Sequence, residues 1–254
     1  MSTQLLIYRT AVPITRGRHG DCSIEASASY GFSCDVNSVP LMAVEFPRAA
    51  SEYAIVFAGA GTEVTPAVIL GVRGSENLFV SDDSSWKAKY IPAFVRRYPF
   101  VFTRNADRFL LCVDEEFAGF NRDGRGQRLF TDDGAPSPYV DNVLKFLQEY
   151  QAQFVRTQRF CSRIKDLGLL EPMQAQVTMD PDHRFSLGGF SAVNRDKLKA
   201  LPNETLGEMA RTDELELLYL HLQSMRNFDG LRDRLELRLS GERESQRNGL
   251  SLPN

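Results

Sequence analysis

The chain has 254 residues and a net charge of −3, with 43% hydrophobic and 25% charged side chains. This is ordinary globular usage, and a chain of this length can bury a core without a stabilising disulfide or metal. The acidic balance disfavours a nucleic-acid protein, and the four cysteines contain no CxxC pair typical of a zinc knuckle or redox dithiol. We therefore expect buried free thiols, with a Cys22–Cys34 disulfide as the alternative for an exported protein.

The N-terminal residues lack the features of a targeting segment. There is no basic stretch, and the apolar run Leu5–Tyr8 is too short for a signal peptide. No window approaches the roughly 20 apolar residues of a membrane-spanning helix. The sequence predicts a cytoplasmic protein without membrane insertion, and export to the cell surface without a cleaved signal stays open.

Short apolar runs rich in β-branched and aromatic residues dominate the first half of the chain. Three of them, separated by glycine-containing turns, are Tyr53–Phe57, Ala67–Val72 and Asn77–Val80. A hairpin is predicted further on, with strands Phe100–Thr103 and Arg108–Val113. Short strands at this spacing favour an antiparallel curled sheet or small barrel over βαβ units.

A long helix is predicted in the middle of the chain. Ser137 and Pro138 are favoured at a helix N-cap and first turn. Apolar residues then recur every three or four positions to about Lys165, and Gly168 is a suitable C-cap. Beyond it, residues 173–179 and 184–187 flank turn residues and predict a second hairpin.

The remaining elements are helical. Asn194 can cap a short helix to Leu201, residues 204–210 form another, and an acidic turn at 212–214 precedes a long amphipathic C-terminal helix. Residues 240–254 have no periodicity, which predicts a disordered tail. The expected fold is α+β: a single domain of residues 1–239 whose β-rich N-terminal half packs with one long central helix and a C-terminal helix.

The stretch from Trp86 to Phe102, called here the aromatic-basic segment, places the only tryptophan among several other aromatic rings and four cations. Trp, Tyr and Arg are enriched at binding hot spots, and adjacent arginines can clamp a carboxylate or phosphate. The predicted ligand- or partner-contacting residues are Trp86, Tyr90, Arg96, Arg97 and Tyr98. The alternative is core packing, because the apolar residues from Ile91 to Tyr98 also follow helical spacing.

A metal site is the second functional hypothesis. His19 and Asp21 have the H-x-D spacing of two ligands in a 2-His-1-carboxylate iron site, with His183 or His221 as the third ligand. This would make the protein a non-haem iron-dependent oxygenase. The structural alternative is a solvated loop for His19, a hairpin turn for His183 and a satisfied helix face for His221.

Signatures of other chemistry are missing from the sequence. It has no Walker loop, no GxGxxG and no GxSxG motif. The favoured hypothesis is therefore a binding protein, for which we predict no catalytic residue and no cofactor.

Several stretches resemble the bacterial SapC family. The core signature is Leu70–Val80 followed by Trp86 and Tyr90–Phe100. Three further stretches match: Val39–Phe46, Leu129-Phe130 with Asp133-Gly134, and Tyr219–Leu231. The likeness covers about residues 5–235. It implies that the single domain expected over residues 1–239 is a SapC-like domain.

The resemblance implies a function in general terms. The family name is associated with bacterial surface layers, and the family is similar to proteins encoded beside TonB-dependent receptors and tryptophan-halogenase-like flavoproteins. It implies a non-catalytic binding or accessory protein of a surface-layer or envelope-associated system that handles nutrients or peptides, with a protein or peptide partner. The alternative is a cytoplasmic accessory subunit of a tryptophan-halogenase-like flavoprotein. The oligomeric state stays open.

Overall fold

Most of the described strands are short and lie in the first half of the chain. The computed structural model describes residues 5–59, 64–105, 108–180 and 183–249. The described strands are β1 (Ala11–Pro13), β2 (Ser23–Ile24), β3 (Ser38–Pro40), β4 (Ile55–Ala58), β5 (Thr65–Ile69), β6 (Phe100–Asn105), β7 (Arg108–Asp114), β8 (Phe120–Asn121), β9 (Gln127–Arg128), β10 (Leu170–Asp180) and β11 (His183–Val193). The described strand pairings are antiparallel, as predicted.

The described helices of the first half have four residues each, and the longer helices lie in the second half. The described helices are α1 (Arg16–His19), α2 (Phe46–Ala49), α3 (Ala93–Arg96), α4 (Pro138–Asp166), α5 (Arg195–Lys199), α6 (Asn203–Arg211), α7 (Glu214–Ser224) and α8 (Asn227–Gly249). Single 3-10 turns lie at Gly31–Ser33 and Ala43–Glu45. The α+β class with a long central and a C-terminal helix is confirmed.

The largest sheet has five strands in the order β10-β11-β4-β5-β3. β4 and β5 pair from Ile55 opposite Val68 to Ala58 opposite Thr65, where the apolar runs predict strands. Consecutive residues of β4 are buried, so both faces of this strand are covered. Two three-stranded sheets, β1-β7-β6 and β8-β2-β9, complete the described β-structure.

The strand predicted at Asn77–Val80 is wrong. Oδ1 of Asn77 accepts the N–H of Phe79 at 2.9 Å, which folds the chain into a turn. The N–H of Leu78 donates to the carbonyl of Leu70 at 2.8 Å and closes a tight loop, called here the 70–78 loop. A Cβ on Gly71 would lie 1.9 Å from the carbonyl oxygen of Glu76, so the loop needs glycine at this position.

Both predicted hairpins are present. β6 and β7 pair from Phe100 opposite Val113 to Asn105 opposite Arg108, and the turn residues 106–107 lie outside the described residues. β10 and β11 are longer than predicted, with a register shift between Met173 and Ala175. Gly188 and Gly189 are part of β11 and lie opposite this irregularity.

Helix α4 forms as its capping residues predict. Oγ of Ser137 accepts the N–H of Val140, and Pro138 occupies the first turn. Gly168 follows the C-cap residue Leu167 and has a φ of +66°. This left-handed conformation is common just after a helix and favours glycine. Leu147, Phe160 and other apolar side chains of α4 face the core.

The C-terminal helix is broken where the sequence predicts one continuous element. α7 ends at Ser224 and α8 begins at Asn227. Nδ2 of Asn227 donates to the carbonyls of Ala50 and Tyr53, both at 2.8 Å, and fixes the start of α8 on the chain that precedes β4. Hydrogen bonds between distant parts of the chain therefore decide this break.

The tail differs from its expected disorder. α8 continues through residues 240–249, while residues 250–254 lie outside the described part of the chain. Within the described ranges, no helix has both the length and the apolarity needed to cross a membrane.

Candidate functional site

The aromatic-basic segment is joined to the first half of the chain by a buried carboxylate. Glu45 is 4% exposed, and its Oε2 accepts the N–H of Met42 at 2.8 Å. Its Oε1 accepts the hydroxyl of Tyr90 at 2.6 Å and the N–H of Ala93 at 2.7 Å. A buried carboxylate needs such donors. Met42 lies three residues before Glu45, whereas Tyr90 and Ala93 lie 45 and 48 residues after it.

A second glutamate fixes the same segment. Glu52 accepts the N–H of Lys89 at 2.7 Å and the N–H of Tyr90 at 3.0 Å. The hydroxyl of Tyr53 donates to the carbonyl of Tyr90 and accepts the indole N–H of Trp86 at 2.9 Å. These hydrogen bonds therefore fix the backbone of Lys89 and Tyr90 from within the protein itself.

Trp86 packs within the protein. Its half-buried indole lies 6.3 Å from the ring of Phe79, nearly parallel, and 5.6 Å from the ring of Tyr30, edge-on. Because its N–H is bonded to Tyr53, the polar edge is also occupied. These contacts favour the core-packing interpretation for this residue.

Tyr98 is likewise surrounded by rings. It stacks on Phe32 at 4.0 Å and contacts Phe117 edge-on at 5.5 Å. Burial, with a further contribution from Asp114, raises the pKa of the Tyr98 hydroxyl above its usual value. The phenol is therefore neutral at physiological pH and forms part of an aromatic cluster.

The two adjacent arginines have different environments. Arg97 is 3% exposed, and its guanidinium carbon lies 4.2 Å from the ring centroid of Phe94 and 5.0 Å from that of Tyr150. Aromatic faces stabilise a cation at such distances. Arg96 is exposed, and its Nε donates to the carbonyl of Ile91 at 3.0 Å.

Arg96 lines a shallow cavity of about 330 Å³, called here the α3–α4 cleft. Its guanidinium carbon lies 6.0 Å from the ring centroid of Tyr90 and 5.5 Å from that of Phe146 on α4. Val44, 54% exposed, lies at the rim. Arg48 and Glu149 add one charge of each sign to the lining.

The five predicted contact residues therefore do not form one surface. Tyr90 and Arg96 line the α3–α4 cleft, and Arg97 is buried beside α4. Trp86 and Tyr98 belong to one aromatic cluster, in which Tyr30 and Phe32 connect them. Core packing describes Trp86, Arg97 and Tyr98, and partner binding stays a prediction for the two residues that line the cleft.

His19 is a buried structural residue, so the expectation of a solvated loop is wrong. Its Nδ1 accepts the N–H of Thr15 at 3.1 Å, and its Nε2 lies 3.1 Å from Oε1 of Glu115. Asp21 instead forms an exposed ion pair with Arg122. Both of the H-x-D side chains therefore have other partners.

His221 is also fully engaged, as its structural alternative predicts. Its Nε2 accepts the N–H of Val193 at 3.0 Å, and its Nδ1 donates to the carbonyl of Ile55 at 2.8 Å. The side chain of His183 lies outside the described part of the structure. Among the residues that are described, no three His, Cys, Asp or Glu side chains are grouped to hold a metal ion. The geometry gives the oxygenase hypothesis no support.

All four cysteines are free thiols, and the Cys22–Cys34 disulfide is not formed. Cys22, Cys112 and Cys161 are buried, as expected, whereas Cys34 is exposed. Burial raises the pKa of the Cys161 thiol to about 12, so it is protonated and a poor nucleophile at neutral pH.

Sequence reasoning missed the importance of Glu45 and Glu52. Both are present in the sequence as two of many carboxylates, without a motif that distinguishes them. The capping-box pattern does not identify Glu45, because it needs Ser or Thr three residues earlier and Met42 stands there.

Comparison with known protein families decides the membership. The model of the SapC family matches residues 14–231, which is most of the chain. The chain belongs to the SapC family. Neither the curated proteins nor the solved structures contain a match to this SapC-family chain.

Proposed function

We infer that this SapC-family chain is a non-catalytic binding protein that captures a protein or peptide partner at the α3–α4 cleft. Its place as an accessory of a bacterial surface-layer or envelope-associated system rests on the family membership. The observation that carries the binding proposal is the position of Arg96, which lies exposed at the mouth of a cleft beside two aromatic rings.

The cleft has the composition of a peptide-contacting surface. Its backbone is held by Glu45, so little ordering is needed when a partner binds. The exposed Val44 and the ring of Phe146 offer apolar contact, and Arg96 offers a planar donor for a carboxylate. The partner expected is therefore a segment with an acidic side chain next to an apolar or aromatic one.

Selection from a phage-displayed random peptide library tests the proposal. Peptides enriched on the wild-type protein should combine an acidic with an apolar residue. Arg96→Ala should weaken their binding at least about tenfold, the equivalent of one lost charge-assisted hydrogen bond. Fluorescence anisotropy with a labelled selected peptide measures the dissociation constant.

Arg156→Ala is the matched control, because Arg156 lies on an exposed face of α4 outside the cleft lining. Both variants should change the free energy of unfolding by less than about 0.5 kcal/mol, since both side chains are exposed. The proposal fails if no peptide is enriched, or if selected peptides bind Arg96→Ala as tightly as the wild type.

A further inference from the structure

A second depression lies on the other side of Tyr150, between the edge strand β6 and helix α4. This β6–α4 groove has a volume of about 470 Å³, within the roughly 300–1,000 Å³ range of small-molecule sites. Its apolar lining includes the side chains of Phe102, Phe109, Leu147 and Phe154. Phe109 is 52% exposed, which is unusual for so large an apolar side chain.

The strand register explains why these side chains meet. Arg104 lies opposite Phe109 in the β6–β7 pair, and Phe102 is two residues before Arg104 on the same strand. Side chains at this spacing point to one face of a sheet. The rings of Phe102 and Phe109 are 5.7 Å apart and form an apolar wall that faces α4.

The groove differs from the α3–α4 cleft in its charge. Arg97 and Arg104 both line it, and its described lining contains no aspartate or glutamate. Arg97 lies among aromatic rings, where its charge is weakly screened by water. The groove therefore places two guanidinium groups beside an apolar surface.

We propose that the β6–α4 groove binds an unbranched aliphatic carboxylate, a fatty-acid type of ligand. The carboxylate lies toward Arg97 and Arg104, and the hydrocarbon chain lies along Phe102, Phe109 and Leu147. The uncharged polar side chains that line the groove are Thr103, Tyr150 and Gln151, fewer than its apolar ones. This composition suits a hydrocarbon chain better than a peptide, whose backbone needs many hydrogen-bond partners. The site is separate from the α3–α4 cleft and does not depend on the peptide-binding proposal.

Isothermal titration calorimetry with decanoate and with decylammonium tests this inference on the full-length protein. Both probes have the same chain length and opposite charges. Decanoate should bind with one site per chain, and decylammonium at least about tenfold more weakly, because a guanidinium group can donate hydrogen bonds to a carboxylate but not to an ammonium group. Equal affinities for the two probes would overturn the proposal, as would an absence of decanoate binding.

Variants on the β6–β7 hairpin locate the site. Arg104→Glu and Phe109→Ser change exposed side chains, and each should weaken decanoate binding at least about tenfold. Arg108→Glu is the matched control, with the same charge change at the neighbouring position, which faces away from Phe109 along the strand. It should leave decanoate affinity within about twofold of wild type, because its exposed side chain points to the opposite face of the sheet, where water and salt weaken its effect on the groove.

Two further outcomes would also overturn the assignment. If Arg108→Glu weakens binding as much as Arg104→Glu, decanoate responds to overall charge and not to the groove. If a peptide with a free C-terminal leucine carboxylate binds at the groove and decanoate does not, the ligand is a peptide terminus. Arg96→Ala should leave decanoate binding unchanged, so the failure of one site is distinguishable from the failure of the other.

Discussion

Glu45 shows how one side chain can join two distant parts of this chain. Its carboxylate accepts hydrogen bonds from Met42, Tyr90 and Ala93, and the residue is almost completely buried. Burying an anion is unfavourable unless donors replace the lost water. Because both oxygens are occupied by donors from the protein itself, Glu45 holds the wall of the α3–α4 cleft in place.

Glu45→Gln should lower the free energy of unfolding by about 2–3 kcal/mol. The neutral amide is a weaker acceptor, and its NH₂ group must face a backbone N–H or the hydroxyl of Tyr90. Urea denaturation monitored by tryptophan fluorescence measures the change.

Glu149→Gln is the control for this prediction, because Glu149 lies in the same cleft but is exposed. It should change the free energy of unfolding by less than about 0.5 kcal/mol. Similar small effects for both variants would show that the three hydrogen bonds of Glu45 contribute little to stability.

At the scale of elements, two side chains of helix α7 form hydrogen bonds with the backbone of strand β4. The N–H of Ile55 donates to Oγ of Ser224 at 3.0 Å, and the carbonyl of Ile55 accepts from His221. β11 pairs with β4 at Phe57 and Ala58, so the backbone groups of Ile55 need other partners. Two polar residues of one helix therefore bond the backbone of a buried strand.

Burial lowers the pKa of His221 to about 4, so the imidazole is neutral in the folded protein. In the unfolded chain its pKa is about 6.5, so the unfolded state binds more protons between these values. The contribution of His221 to stability is therefore complete above about pH 6.5 and decreases as the pH falls toward 4. The expected loss is on the order of 3 kcal/mol.

Urea denaturation at a series of pH values from 7 to 4.5 checks this prediction, with His221→Gln for comparison. The variant should be less stable than the wild type at pH 7. Its stability should fall less over this range, because it lacks the titration of His221 and shares all other titrating groups with the wild type. The same pH dependence in both proteins would contradict the assignment to His221.

At the scale of the whole molecule, the folded unit extends beyond the family match. The match ends at Leu231, but α8 continues and its Leu235 is fully buried. Arg234 donates to the carbonyl of Lys87 at 2.9 Å, and Arg238 donates to the carbonyl of Val80 at 2.7 Å. α8 therefore packs against the chain that leads into the aromatic-basic segment.

Truncation tests how far the folded unit extends. A chain ending at residue 239 should keep nearly the full stability, because the exposed Arg73–Glu242 ion pair that it loses is worth at most about 1 kcal/mol. A chain ending at residue 231 also loses the buried Leu235 and should be less stable by about 2–5 kcal/mol. Calorimetry measures both.

A single cooperative transition in the longer truncation would support the prediction of one domain over residues 1–239. Equal stability of the two truncated chains would instead show that α8 contributes little after Leu231.

The sequence alone determined the elements that depend on neighbouring residues. The Ser137 cap, the apolar period of α4, the cap at Asn194 and the two hairpins are local signals, and each is present in the structure. The family was also readable from the sequence, because its central motif is long and specific. These features need no knowledge of which distant residues meet.

Tertiary structure alone decided the direction of the arginines and the break before α8. Arg96 and Arg97 are adjacent and chemically identical, yet one is exposed and the other lies among aromatic rings. Their environments depend on contacts with Tyr90, Phe146 and Tyr150, and the last two belong to a helix about fifty residues away. Local spacing predicts which residues share a face of an element, but the burial of that face depends on what packs against it.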